Sequence, residues 1–392
     1  MSRAVQLGLF YCTIFIGTGV SLPYIPVWFR AQGLSGAEIG IILSAPMLAR
    51  LVVSPLMAVW ADGFALRRTP IMLFALGAAV FYGLIGVVSG FGAWLVCWLA
   101  GSAFLSTVVP LTDVLSMRRA RIEGFNYGRS RGLGSIAFVV ANVGMGALLT
   151  TVKPDLILVW ITALLTAIST RILLPPDPVH ESGERPGRLA RWQGIGALLR
   201  NRPFMLAVAT TALIQASHGF YYAFSALLWR GEGISDGAVG LLWATGVLVE
   251  VAFMWFLEPL RRRWGPEPLV LIGGVAAVIR WTAFAFSPPL WLLFPLQALH
   301  ALSFAATFMA ALQLIERNAP VHSASAAQTI SSAVSGGLFI GLATIASGKL
   351  FDVFGSHGYL GMTAMAGLGL IGAWRLLIQS RKTVLPSPTS QT

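Results

Sequence analysis

Six ionisable side chains within or at the ends of long apolar segments are the main candidates for chemistry in this sequence. They are Arg50, Asp113, Arg131, Glu250, Arg280 and His300. A charge at membrane depth costs about 2.5 to 3.5 kcal/mol on insertion scales, so each of these residues is a functional hypothesis by default. Arginine offers a planar fork to a carboxylate or to vicinal oxygens, whereas carboxylates and imidazoles can gain and lose protons. The chemistry that these residues predict is recognition of a small polar solute coupled to proton transfer.

The composition indicates that these residues are embedded in a membrane. Hydrophobic residues make up 56% of the 392 residues and charged residues only 11%, against about 25% charged in soluble domains, and the mean hydropathy is +0.76. Apolar stretches of about 20 residues cross a bilayer as helices. We therefore predict an all-α integral membrane protein with twelve transmembrane helices. The predicted spans are 4–29, 37–60, 70–89, 92–117, 132–152, 155–174, 204–229, 237–260, 268–287, 290–315, 325–349 and 357–378.

Charge distribution and cysteine usage narrow the class further. Most of the 27 Lys and Arg fall in alternate loops, and cytoplasmic loops collect positive charge. We predict a bacterial-type inner-membrane protein with both termini cytoplasmic, whose +12 net charge faces the inner leaflet rather than a nucleic acid. Cys12 and Cys97 lie in apolar spans without spacing suited to metal binding. No metal or other cofactor is predicted.

An internal repeat organises the chain. Residues 30–56 and 230–256 share a pattern at an offset of 200 positions, and this offset places Arg50 over Glu250. Helix two thus matches helix eight in the same direction, which indicates two parallel six-helix repeats related by a pseudo-twofold axis along the membrane normal. The predicted parts are an N-terminal bundle (1–174), a cytoplasmic linker (175–202), a C-terminal bundle (203–380) and a disordered cytoplasmic tail (381–392).

Local motifs carry a resemblance to known transporters. Asp62, Arg67 and Arg68, after predicted helix two, are similar to a degenerate form of the gating signature of the major facilitator superfamily. The segments 110–113 and 126–135 resemble the junction of helices four and five in the oligosaccharide/proton symporters, the lactose permease family. From end to end the sequence resembles the phenylpropionate permease family. The matching segments there are His218–Ser225, Val249–Val251, Ile279–Trp281 and Gln297–His300.

The resemblance implies a major facilitator fold and assigns roles to the buried charges. It implies that Asp113 and Arg131 form the acidic and basic pair that holds the solute. It also implies that an acid, an arginine and a histidine on helices eight, nine and ten carry substrate and proton, here Glu250, Arg280 and His300. The lactose permease family has an acid three residues after this histidine, and Ser303 stands there in this sequence. We therefore expect Glu250 or Asp113 to carry the proton instead.

Polar residues at helical spacing predict a hydrated cavity. Gln215, His218, Tyr222 and Ser225 follow the i, i+3, i+7 and i+10 positions of helix seven, and a second polar face on helix ten includes Gln297. For these polar stripes the alternative is polar contacts that join helices. For Glu250, Arg280 and His300 it is a static ion-pair network, and for Asp113 and Arg131 it is capping or snorkelling at helix ends. Trp243 is a candidate aromatic wall of the cavity, although any one aromatic in this chain can equally pack or face lipid.

These observations predict a secondary active transporter, not an enzyme, that imports a small organic solute with protons by alternating access. By family resemblance the solute is an aromatic monocarboxylate of the 3-phenylpropionate type. The predicted substrate-binding residues are Arg131, Arg280, His218, Tyr222, Gln215, Gln297 and Trp243. Glu250, Asp113 and His300 are predicted to couple protons, with Arg50 as a charge partner. We predict a monomer whose partners are the small-molecule substrate, protons and the lipid bilayer.

Three other functions remain open on the sequence. A proton-coupled sugar or nucleoside symporter keeps the fold and is supported by the spacing of Asp113 and Arg131. An efflux antiporter reverses the direction of transport. A membrane enzyme or a sensor would keep only the membrane spans, and we identify no nucleophile, acid pair or metal triad at the interface and no soluble segment longer than the linker.

Overall fold

A computed structural model of the chain describes residues 2–61, 63–64, 68–169, 195–256, 263–319 and 324–384. Within these residues the regular structure is helical and contains no strand. Apolar helices are the expected solution in a bilayer, because they satisfy every backbone hydrogen bond internally.

The first part of the chain forms six helices joined by short loops. They are α1 (Arg3–Ala31), α2 (Gly36–Ala61), α3 (Arg68–Ile85), α4 (Phe91–Glu123), α5 (Tyr127–Leu149) and α6 (Leu156–Ser169). Short loops place successive helices antiparallel. Asn126 accepts a hydrogen bond from the backbone N–H of Arg129 and so caps the start of α5.

In the second part of the chain the helices are more often interrupted. Its α-helices are α7 (Ile195–Arg200), α8 (Arg202–Ala216), α9 (Gly219–Gly231), α10 (Asp236–Phe256), α11 (Pro266–Ala285), α12 (Leu290–Ala298), α13 (Thr307–Asn318), α14 (Ala324–Ala333), α15 (Ile340–Phe354) and α16 (Tyr359–Val384). Two π-helical turns, Ala301–Ala306 and Val334–Phe339, and a 3-10 turn, Gly355–Gly358, connect some of them.

The predicted all-α membrane fold is confirmed. Among the described residues, nine helical stretches are long and apolar enough to cross a membrane. The difference from twelve predicted spans has a local cause in each case. Span six is a shorter apolar helix, span seven is divided into α8 and α9, and spans eleven and twelve run on as one stretch, Ala326–Arg381.

The chain divides into two compact units. Unit 1 consists of Met1–Gly183, Phe220–Val247 and Thr344–Gly355, and unit 2 of Glu184–Gly219, Leu248–Ala343 and Ser356–Thr392. The boundaries after Gly219, at the start of α9, and after Val247, inside α10, therefore assign adjacent parts of the chain to different units. The predicted linker lies mostly outside the described residues, as do Asp62, Arg67 and the end of the tail. The division into two sequential bundles stays a prediction.

Unit 1 contains close helix crossings that include segments from late in the chain. A Cβ on Gly40 of α2 would lie 2.8 Å from the carbonyl oxygen of Thr344 in α15, and a Cβ on Gly240 of α10 would lie 2.8 Å from that of Asn142 in α5. Side chains at these two glycines would separate the helices. Asp352 of α15 accepts hydrogen bonds at 2.7 and 2.8 Å from the backbone N–H groups of Gly36 and Ala37 at the start of α2, where the helix dipole favours an anion.

Candidate functional sites

Asp113 lies at the centre of a polar cluster inside unit 1. Its Oδ1 accepts hydrogen bonds from the phenol of Tyr11 on α1, at 2.6 Å, and from the phenol of Tyr127 on α5, at 2.9 Å. Arg131, one turn further along α5, approaches the same oxygen through Nε at 3.7 Å. The structure thus brings together the predicted pair of Asp113 and Arg131, which are 18 residues apart in the sequence, and adds two tyrosines to it.

The guanidinium of Arg131 rests on aromatic rings. Its Cζ lies 4.1 Å from the ring centroid of Phe15 and 5.3 Å from that of Tyr11, which is within the range of cation–π attraction. The side chains of Arg131 and Asp113 keep 30% and 27% of their surface accessible. This cluster therefore combines a solvent-accessible cation, an anion and aromatic walls.

A second cluster forms in unit 2 at two interruptions of helical structure. Helix α8 ends at Ala216, two residues before His218, and the π-helical turn Ala301–Ala306 begins directly after His300. π-helical turns are frequent at functional sites because they redirect side chains and free backbone groups. Helix α11 is continuous here and presents Arg280 and Trp281 to both interruptions.

Arg280 is completely buried and held on both its edge and its face. Its guanidinium donates to Oε1 of Gln297 and, at 2.9 Å, to Nδ1 of His300. Its Cζ lies 4.6 Å from the ring centroid of Trp281 and 5.4 Å from that of Phe284. Burial of a cation is costly without such partners, so this geometry fixes Arg280 in place.

The contact with Arg280 determines which nitrogen of His300 carries a proton. A guanidinium has only N–H donors, so Nδ1 of His300 must accept, and the proton of the neutral ring is on Nε2. Nε2 faces Oε2 of Glu250 at 3.5 Å. The side chain of Glu250 is 17% exposed and that of His300 is 7% exposed. Arg280, His300 and Glu250 thus form a chain in which a partly accessible carboxylate is linked to a buried cation through an imidazole.

His218 joins the same cluster from the end of α8. Its Nδ1 lies 3.0 Å and 3.3 Å from the carbonyl oxygens of Gln215 and Ile214, which can only accept, so Nδ1 carries a proton. Its Nε2 lies 3.1 Å from Oγ of Ser303, the position where the lactose permease family has an acid. The imidazoles of His218 and His300 are 5.3 Å apart between centroids.

The expected continuous polar stripe on helix seven is interrupted. The imidazole of His218 forms a hydrogen bond with a backbone carbonyl group at the end of α8, and α9 begins only at Gly219. Gln215 donates to the carbonyl oxygen of Phe304 at 3.1 Å and remains with His218 in unit 2. Tyr222, however, belongs to unit 1, where its ring lies 6.1 Å from that of Trp243.

Trp243 itself is buried, and its indole stacks on Tyr221 with centroids 4.6 Å apart. Arg50 is an exposed residue of α2 in unit 1. Arg68, which begins α3, is the described member of the predicted gating motif. The functional assignments of all these residues remain predictions.

Sequence reasoning missed three members of the cluster around Asp113. Tyr11 and Phe15 belong to the long apolar run of α1, and Tyr127 precedes the span predicted for helix five. A tyrosine in an apolar helix gives little signal by itself, because aromatic residues are common there. The position of Tyr127, one turn before Arg131 on the same helix face, was the one available indication.

Membrane-spanning helices that carry an accessible Asp–Arg cluster and a largely buried Glu–His–Arg cluster are typical of a polytopic transporter of small solutes. The chain belongs to the MFS_1 like family, whose pattern matches residues 4–360, and it is a major facilitator transporter and not an enzyme. The resemblance to the phenylpropionate permease family is confirmed by an Escherichia coli K12 protein described as a probable 3-phenylpropionic acid transporter. The two are 30% identical over 92% of this chain and 94% of that protein.

A sugar transporter and a nucleoside transporter are also similar to this chain. The maltose permease of Geobacillus stearothermophilus is 31% identical over 90% of this chain and 88% of its own length. The crystal structure of the nucleoside transporter NupG superposes with a TM-score of 0.83 at 18% identity, covering 97% of this chain and all of that one. The last comparison supports the major facilitator fold and says nothing about the solute.

Proposed function

We propose that this transporter couples proton entry to the uptake of a small aromatic monocarboxylate of the 3-phenylpropionate type. The observation that carries the proposal is the chain from Arg280 through His300 to Glu250. Through this series of contacting side chains, the protonation state of Glu250 affects how well the buried positive charge of Arg280 is compensated. A carboxylate substrate carries the charge that this compensation requires.

The coupling follows from charge neutrality in a medium of low dielectric. With Glu250 ionised, its negative charge balances Arg280 through the neutral imidazole of His300. Protonation of Glu250 leaves the positive charge of Arg280 without that balance, and a buried unbalanced charge is strongly disfavoured. An anionic substrate that enters with the proton keeps the net charge of the loaded transporter unchanged, so proton and anion favour each other's binding. By thermodynamic linkage the preference is reciprocal, which is the requirement for symport.

Arg131 is the proposed contact for the substrate carboxylate. Its side chain is 30% exposed, whereas Arg280 is fully buried and engaged with Gln297 and His300. Phe15 and Tyr11, which already contact the guanidinium, offer apolar surface for a phenyl ring beside it. The similarity to the probable 3-phenylpropionic acid transporter of Escherichia coli supports this solute class.

The remaining assignments complete the proposed cycle. We assign His218, Gln215, Gln297, Tyr222 and Trp243 to substrate contacts or their support. Asp113 and His300 assist Glu250 in proton transfer, and Arg50 serves as a charge partner. The chain works as a monomer by alternating access in the bacterial cytoplasmic membrane, with both termini on the cytoplasmic side.

Sugar uptake is the second candidate function. Oδ1 of Asp113 is contacted by Tyr11, Tyr127 and Arg131. This cluster offers both donors and an acceptor to neighbouring hydroxyl groups of a sugar. The maltose permease relative supports this alternative. The two candidates differ in whether the solute must carry a negative charge.

Uptake into proteoliposomes distinguishes the candidates. Purified protein is reconstituted in vesicles with an alkaline interior, and accumulation of radiolabelled 3-phenylpropionate, maltose and uridine is measured with and without a protonophore. The proposal expects accumulation of 3-phenylpropionate above the level in protein-free vesicles with the same pH gradient, and expects the protonophore to abolish the difference. Gradient-driven accumulation of maltose or uridine alone would replace the aromatic acid, and accumulation that ignores the gradient would overturn proton coupling.

A further inference from the structure

We infer that Tyr11 and Tyr127 are positioning residues that prevent the carboxylate of Asp113 from forming a close ion pair with Arg131. The guanidinium edge thereby stays available for the carboxylate of the substrate. The inference rests on the proposed function, because it concerns how the same site selects an anion.

The distances show which partners hold Asp113. The two phenol oxygens lie 2.6 and 2.9 Å from Oδ1, which is ordinary for O–H···O bonds. The closest approach of Arg131 to that oxygen is 3.7 Å, through Nε alone. A charge-assisted arginine–carboxylate pair normally closes to about 2.7 to 2.9 Å and is often bidentate. Asp113 is therefore bound by the tyrosines and only loosely paired with the arginine.

Two hydrogen bonds to one oxygen also explain why a carboxylate tolerates this arrangement. A phenol donates its single O–H proton, and an ionised carboxylate only accepts. Tyr11 and Tyr127 thus satisfy the anion from α1 and α5 without using the arginine. A carboxylate that lacked these donors would take the nearest remaining ones, those of Arg131.

The guanidinium of Arg131 contacts aromatic rings through its face, so the N–H groups at its edge can bind another anion. Phe15 and Tyr11 contact the guanidinium through its π-face, whereas hydrogen bonds form in the plane of the group. Among the residues that the structure describes, the polar contact made by Arg131 is the long one from Nε to Asp113. The fork of its two terminal nitrogens matches the geometry of a substrate carboxylate.

The test removes one hydroxyl at a time and keeps the ring. Tyr127→Phe and Tyr11→Phe leave the aromatic surface intact but release Asp113 towards Arg131. We expect the affinity for 3-phenylpropionate, measured by equilibrium binding to purified protein, to fall about tenfold, since a hydrogen bond to a charged group is worth roughly that factor. Binding of the neutral 3-phenylpropionamide should change less than twofold.

A second substitution separates positioning from a simple structural role. Asp113→Asn in the Tyr127→Phe background removes the competing anion, so affinity for 3-phenylpropionate should recover to within about threefold of the parent protein. Tyr82→Phe is the matched control, because Tyr82 of α3 forms a 2.9 Å hydrogen bond with Ser102, three turns before Asp113 on α4. Unchanged affinity in both single variants, or no recovery in the double variant, would overturn the inference.

A readout without substrate distinguishes failure of this inference from failure of the proposed function. Phenylglyoxal modifies accessible guanidinium groups, and modification of Arg131 can be followed by peptide mass spectrometry. We expect slower modification in Tyr127→Phe and restored modification after adding Asp113→Asn. If the parent protein fails to bind 3-phenylpropionate but shows this pattern, the solute assignment falls and the positioning role stands. If binding is present and the pattern is absent, the positioning role falls.

Discussion

The guanidinium of Arg280 lies 2.9 Å from Nδ1 of His300, on the opposite side of the imidazole from Glu250. This relationship fixes the neutral tautomer of His300 and directs its remaining N–H to the carboxylate. Protonation of His300 at Nδ1 would require Arg280 to withdraw. Glu250 is therefore the member of the chain that can change its charge while the geometry persists.

Replacing Glu250 with glutamine should uncouple transport from the proton gradient. The amide keeps the shape of the side chain but cannot ionise, so accumulation of solute against its gradient should be lost, while exchange of internal for external solute continues at a rate within about tenfold of the parent. Proteoliposome uptake and counterflow measure the two activities. Glu232→Gln, at an exposed position before α10, is the control. Normal accumulation in Glu250→Gln would remove it from the coupling role.

Arg280→Lys should destabilise unit 2 despite keeping the charge. A lysine ammonium cannot contact Gln297 and His300 as a planar fork, nor stack on Trp281 in the same way. Loss of one such hydrogen bond costs about 1.5 to 3 kcal/mol, which should lower the thermal midpoint measured by size-exclusion chromatography after heating. Arg121→Lys, at an exposed position of α4, should leave the midpoint unchanged. Equal midpoints for both variants would argue against the buried fork.

Arg131→Lys tests whether the substrate carboxylate meets a planar fork. A point charge cannot form two parallel hydrogen bonds, so the apparent affinity for 3-phenylpropionate should fall about tenfold, or about 1.4 kcal/mol. Concentration-dependent uptake gives this affinity. Arg129→Lys is the control, because Arg129 is exposed on the same helix. An unchanged affinity in Arg131→Lys would count against bidentate recognition at this residue.

Asp352→Ala should loosen the start of α2. Its two carboxylate oxygens accept from the backbone N–H groups of Gly36 and Ala37, and loss of a helix cap costs about 0.5 to 2 kcal/mol. Hydrogen exchange followed by mass spectrometry should show faster exchange at these amides than in the parent. Lys349→Gln, one turn earlier on α15 and exposed, is the control. Protection that survives in Asp352→Ala would show that other contacts hold α2.

Particular residues show which features of the fold and of the sites can be predicted from the sequence. The helical spans are predictable because lipid forces the backbone to satisfy its own hydrogen bonds. The grouping of Glu250, Arg280 and His300 is implied by the family pattern, and the structure brings these side chains into one cluster. The course of helix seven is not predictable from periodicity, because nothing in the spacing marks the break between α8 and α9, where the imidazole of His218 contacts carbonyl groups at the end of α8.

The sequence by itself determined the membrane class, the internal repeat and the identity of the buried charges. These follow from the cost of placing charges and unpaired backbone groups in lipid, which every segment meets locally. Only the tertiary structure decided that Tyr11, 102 residues before Asp113, supplies its closest hydrogen bond, and that Arg280 rather than a carboxylate contacts Nδ1 of His300. Such partners depend on how distant helices pack, and packing leaves no periodic signal in a chain where most positions are apolar.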